Sequence, residues 1–187
     1  CDQRRRLRLR QPQRLSGALL LVGLQRHREH RGHLGIRPGL PDQRARVGLR
    51  DDDDVEVTAD WIARLAVPFA DPLVACVTGA VLPADLSGEG ACQFEFTSGG
   101  LNNGFARRRF DARFLRQQWW KSPPVWAIGA GANMAIRRSA FATVGLFDPR
   151  LGAGAAGCSE DSELWFRLLR AGLHCFYDPA AVVHHYH

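Results

Sequence analysis

Residues 159–172 read SEDSELWFRLLRAG, and the next fifteen, 173–187, read LHCFYDPAAVVHHYH. The first stretch has the full grammar of a helix. Ser159 stands where a cap is wanted, Glu160 and Asp161 fill the first turn, and Leu164, Trp165, Leu168 and Leu169 recur as one apolar stripe. Gly172 then stops it, so a helix is expected from Ser159 to Ala171. The second stretch is β-branched and aromatic, and predicts two closing strands, Leu173 to Tyr177 and Ala181 to Tyr186. Helix followed by strand sets the class as α/β.

Working back from this end, Ala127 to Arg137 reads as a Gly-rich turn leading into a strand. Ser139 to Val144 reads as a short helix closed by Gly145. Leu73 to Val77 is an apolar, buried strand that continues through Val81 and Leu82 beyond Gly79. Thr58 can cap a helix running through Asp60, Trp61, Ile62 and Leu65, which Pro68 must end or kink. Between these, Gly99, Gly100 and Gly104 suggest a loop, and Phe105 to Trp120 is expected as an amphipathic helix before Pro123-Pro124. The strands are too few for a complete doubly wound sheet.

The first fifty residues differ in texture. They hold thirteen Arg against three acidic residues, a balance of +10, so residues 51–187 carry −4 of the chain's +6. Periodicity is poor apart from Leu19–Leu24, and 1–50 is expected to be an irregular, Arg-rich or aberrant segment. Such a segment could bind nucleic acid or an anionic membrane by counterion release, which is the alternative reading of the chain. The start at Cys1 rather than Met suggests a fragment or processed piece. Ala18 to Leu24 is far short of the ~18–20 apolar residues that span a bilayer. The five cysteines, Cys1, Cys76, Cys92, Cys158 and Cys175, are odd in number and widely spaced, with no CxxC pair. They are expected as small buried thiols in a reducing, cytoplasmic setting.

Four features could carry chemistry. Asp51-Asp52-Asp53-Asp54 is a run of like charges that a hard divalent cation would neutralise, and alternation puts Asp52 and Asp54 on one side. No EF-hand spacing follows it. Glu160-Asp161 at a helix start either compensates the dipole or offers a carboxylate to an attacking hydroxyl. His185 and His187 alternate onto one strand face, where imidazole suits a Mn²⁺-like metal, or they belong to a solvated chain end. Gly129-Ala130-Gly131-Ala132-Asn133 permits close backbone approach to a ligand but is not a GxGxxG fingerprint.

In order, DDDDVEVTADW, VTGAVLP, GAGANMAIRRSAF, VGLFDPRLGAG, SEDSELWFRLLRAG and DPAAVVHHYH resemble the family 2 glycosyltransferases of the GT-A fold. The resemblance runs from Asp51 to His187. It implies a partial GT-A-like, Rossmann-like mixed sheet flanked by helices, and transfer from a nucleotide-sugar donor to a carbohydrate or lipid-linked acceptor with inversion. It implies Asp161 as the general base. Mn²⁺ or Mg²⁺ would be held by Asp52, Asp54 and His185. Substrate would be bound through Asp52, Asp53, Gly131, Asn133 and Glu160. Nucleic acid is not expected as a partner, and a place at the inner face of a membrane is compatible with it. Trp119, Trp120 and Trp126 are open to stacking on sugars, to the core or to lipid. The departure is at the front: LPDQRARVGLR, residues 40–50, lacks the hydrophobic strand that should deliver the aspartates, which points to a truncated member, with a catalytically inactive remnant as the alternative to an active one.

Overall fold

The computed structural model describes residues 19–21, 55–116, 123–152 and 154–186. Asp51–Asp54, Trp119, Trp120, Cys1 and His187 lie outside them. The architecture is a mixed sheet with helices on both faces, as the α/β reading requires.

The central strands follow from hydrophobicity alone. Val74–Pro83 (β3) is almost entirely apolar and is buried from Val74 to Val81, as a strand covered on both faces must be. It runs parallel to His174–His185 (β6) and antiparallel to Met134–Arg137 (β5). Leu19–Leu21 (β1) extends the sheet beyond β5, so part of the Arg-rich first quarter enters the sheet. The other edge of β6 is shared. Arg108–Phe110 (β4) pairs with residues 175–177, and Val55–Val57 (β2) pairs with residues 183–185.

One face of the sheet is covered by Trp61–Ala66 (α1), whose Trp61 and Leu65 pack with Phe69, Val77, Val81 and Val183. Pro68 has the expected effect: α1 stops at Ala66 and a 3₁₀ turn, Val67–Ala70, takes over. The other face is covered by Glu160–Arg170 (α5), whose stripe of Leu164, Trp165, Leu168 and Leu169 is fully buried against Met134, Ile136 and Cys175. Each such side chain contributes about 1.5–3 kcal/mol on burial. Ala140–Val144 (α4) docks beside α5, and Arg167 ties the two. It pairs with Glu163 at 2.6 Å and donates to the carbonyls of Val144 and Leu146, which the end of α4 leaves without helical partners.

Several expectations are corrected. The two closing strands are one, because Asp178-Pro179 falls in a bulge: Gly79 pairs with Asp178 but Ala80 pairs with Val182. Phe105 to Trp120 is no single helix. Within the described residues it supplies β4 and the short helix Ala112–Arg116 (α3), since three consecutive arginines, two of them in the edge strand, leave no apolar helical stripe. Glu89–Ser98 (α2), unforeseen in the sequence, precedes Gly99. Neither expected side-chain cap forms: Thr58 Oγ1 donates to Val182 O, and Ser159 adopts a left-handed φ of 76° with no capping bond. Cys76 and Cys175 are buried register neighbours on β3 and β6, but Cys92 and Cys158 are exposed.

Candidate functional site

The loop 129–133 leads from the 3₁₀ turn Val125–Ile128 into β5 and fixes the geometry of this end of the molecule. Asn133 at its foot is fully buried. Its Oδ1 accepts from Trp61 Nε1 at 2.8 Å, and its Nδ2 donates at 2.8 Å to both Ala80 O and Ala181 O. That satisfies both amide hydrogens and joins α1, β3, β5 and the β6 bulge in one polar knot. Gly79 is the price of this closeness: a Cβ there would lie 2.1 Å from Ala181 O and 2.5 Å from Asn133 Nδ2. Asn133, read in the sequence as a ligand-facing group, is thus placed inside the fold, with its amide engaged by protein partners.

Above the knot, Gly131 reaches the start of α5. Its N–H donates to Asp161 Oδ2 at 3.0 Å, while Asp161 Oδ1 accepts from the N–H of Ser162. Both carboxylate oxygens are therefore oriented by backbone. Glu160 lies one residue earlier, against Gly152, where a Cβ would sit 3.0 Å from the Glu160 carboxyl carbon. Gly152 has φ 80°, a conformation glycine adopts without strain, and it anchors its loop by accepting from Gly157 N at 2.8 Å. Ser159, the residue entering α5, is the non-glycine residue with positive φ among those described. Such backbone costs on the order of 1 kcal/mol and often marks a functional site. Three acidic residues, Glu160, Asp161 and Glu163, occupy the first turn of α5, where the helix dipole favours negative charge.

The end of β6 contributes to the same site. His185 is 6 % exposed, and its strand partner on β2 is Val55. The aspartate run 51–54 therefore joins the described fold at the residue directly across from His185. Next to it, Tyr186 donates from its hydroxyl to Glu56 Oε1 at 2.7 Å, and that carboxylate raises the phenol's pKa.

Gly131, Glu160, Asp161 and His185 line one cleft of about 280 Å³, which Trp126 and Leu101 flank. Trp126 is 63 % exposed, so its indole is available to a ligand rather than spent in the core. Among the described residues no group of three His, Cys, Asp or Glu side chains converges as a metal site. The sequence did not announce the left-handed Ser159, the support of Glu160 by Gly152, or the contribution of Leu101. A glycine inside an apolar strand, Gly79, was the available signal for the knot.

No curated protein and no solved structure matches the chain. No helix among the described residues is long and apolar enough to cross a membrane. Residues 17–187 match the family model described as glycosyltransferase like family 2, beginning well before the aspartate run and taking in β1. The chain belongs to the family 2-like glycosyltransferases.

Proposed function

We propose that this chain carries the acceptor and metal side of an inverting, metal-dependent glycosyltransferase that uses a nucleotide-sugar donor. The observation that supports it most is the cleft itself. Asp161, Glu160 and His185 line it together, and the strand pairing of Val55 with His185 brings the chain that follows the aspartate run to the same residue.

Carboxylates suit Mn²⁺ or Mg²⁺, and an imidazole beside them favours Mn²⁺ of the two; Asp52, Asp54 and His185 would hold the ion. When bound, the cation neutralises charge on the diphosphate leaving group. Asp53 and Gly131 then serve the donor, with Glu160 orienting the acceptor. Asp161 accepts the proton of an acceptor hydroxyl as that oxygen bonds to the anomeric carbon. The bond from that carbon to the phosphate oxygen breaks, and its electron pair leaves with the nucleoside diphosphate. Attack opposite the leaving group inverts the configuration, by the logic of inverting glycosidases with a hydroxyl in place of water. The amide of Gly131 contributes by fixing the Asp161 carboxylate before substrate arrives.

The test incubates the full chain with a panel of nucleotide sugars and Mn²⁺, and measures release of nucleoside diphosphate. Turnover that chelation abolishes and Asp54→Ala removes supports the proposal. Metal-independent turnover, or Mn²⁺ affinity unchanged in Asp54→Ala, overturns the metal assignment.

A further inference from the structure

The segment from Phe105 to Arg116 holds five arginines and one acidic residue, Asp111. Two of the five have carboxylate partners, and a third, Arg108, stacks over the Phe110 ring with 4.9 Å to its centroid. Arg107 pairs with the buried Asp178 at 3.1 Å, and Arg109 with Asp71 at 3.1 Å. Arg108, Arg113 and Arg116 are exposed and form no ion pair among the described residues. Arg108, Arg109 and Arg113 line one cleft of about 420 Å³ together with Phe110, Phe114 and a single carboxylate, Asp111. Arg113 and Arg116, three apart on α3, share a helix face. Phe105, 80 % exposed, stands immediately before this strip.

Arginine on an edge strand can be a guard against edge-to-edge pairing. That accounts for β4 but not for α3, whose arginines extend the same cationic surface away from the sheet edge. Nor does it account for an exposed phenylalanine beside them. The loop bearing Phe105 is also held in place. Tyr177 Oη lies 2.9 Å from Asn102 Oδ1 and 2.7 Å from Gly104 O, and Asp178 holds Arg107. A fixed surface of net positive charge with one apolar side chain at its margin complements a layer of phosphate headgroups over hydrocarbon.

We propose that the β4–α3 surface docks on an anionic lipid bilayer, with Arg108, Arg113 and Arg116 on lipid phosphates and Phe105 at the acyl boundary. Leu101, which lines the candidate cleft, lies four residues before Phe105 in the chain. The proposal stands apart from the glycosyl-transfer reading, because its test needs no turnover.

The experiment is co-sedimentation of the full chain with vesicles of phosphatidylcholine alone and of phosphatidylcholine mixed with phosphatidylglycerol. The wild type is expected to pellet with the mixed vesicles and to be released by high salt. R108Q/R113Q/R116Q should lower the partition coefficient about a hundred-fold, roughly five-fold per arginine, with the thermal midpoint unchanged. F105S should weaken binding further, at an unchanged salt slope. Because residues 1–50 are also basic, R4Q/R5Q/R6Q removes the same charge elsewhere and should cost much less. Wild-type binding by R108Q/R113Q/R116Q, a loss confined to R4Q/R5Q/R6Q, or no pelleting of the wild type would each overturn the proposal.

Discussion

The backbone N–H of Gly131 holds Asp161 Oδ2 at 3.0 Å, across thirty residues of chain. The bond links the turn before β5 to the first turn of α5. It makes the position of the carboxylate a property of the sheet rather than of one flexible side chain. A Cβ on residue 131 would come within 3.3 Å of that oxygen and 3.5 Å of Asp161 Cβ, so only glycine lets the two segments close this far without adjustment.

Gly131→Ala is therefore expected to leave the fold intact and to move the carboxylate by a few tenths of an ångström. Misplacement by 1 Å can cost on the order of a hundred-fold in rate, so a loss of about ten-fold in nucleoside diphosphate release is expected. Thermal unfolding should shift little. A large drop in melting temperature would show the contact to be structural instead.

Gly79→Ala should fail for stability. Its Cβ would meet Ala181 O at 2.1 Å and Asn133 Nδ2 at 2.5 Å, both fixed by hydrogen bonds. Neither neighbour can yield without breaking the knot, so a loss of about 3 kcal/mol or more is expected in urea unfolding.

The knot itself can be apportioned. Asn133→Ala orphans Trp61 Nε1 and the carbonyls of Ala80 and Ala181, all buried around it. At about 1–3 kcal/mol for each unsatisfied group, the total should reach at least about 3 kcal/mol. Trp61→Phe removes one donor and should cost less, about 1–2 kcal/mol for the hydrogen bond it loses. The double variant should cost less than the sum, because each single change already breaks the shared bond. Strict additivity would contradict the coupling.

Much of this fold was legible because burial speaks through periodicity. The stripe Leu164, Trp165, Leu168, Leu169 and the unbroken apolar run of β3 each admit one secondary structure. Elsewhere the residues had two uses. Pro179 separates two apolar runs and reads as a gap, yet a bulge accommodates it inside one strand. Arg107–Arg109 suits a helix or an edge strand equally in sequence, and only pairing with residues 175–177 decides. Asn133 has an amide fit for a ligand or for three buried partners, and nothing local distinguishes them. Glu160, Asp161 and His185 could be brought together on paper only through the family's order of motifs. Sequence spacing does not say that the start of α5 and the end of β6 face one cleft.

The cysteines divide by exposure. Iodoacetamide should modify Cys92 and Cys158 in the native protein and spare Cys76 and Cys175 until unfolding, read by peptide mass. Burial first, and then the neighbouring Cys76, raise the Cys175 pKa well above its ordinary value. The folded state thus keeps a proton that the unfolded state loses. Stability from this group is present below the unfolded thiol pKa of about 8.5 and declines as pH rises above it. Cys175→Ala should flatten the alkaline slope of the unfolding free energy, whatever it does to the value at neutral pH.

Asp161→Asn tests the proposed base most directly. The substitution keeps size and shape, and the amide oxygen can still accept from Gly131 N, although its NH2 group cannot accept from Ser162 N as the second native oxygen does. What it removes is the ability to take a proton. General-base catalysis is worth about 10²–10⁴-fold, so turnover should fall by at least about a hundred-fold while donor affinity stays nearly unchanged. Asp161→Glu keeps the base but lengthens the side chain by one methylene. It should retain more activity than Asn, though it cannot meet Gly131 and Ser162 as the native residue does. Full turnover in Asp161→Asn would move the base to Glu160, the neighbouring carboxylate on the same wall. Glu160→Gln would then show the loss instead.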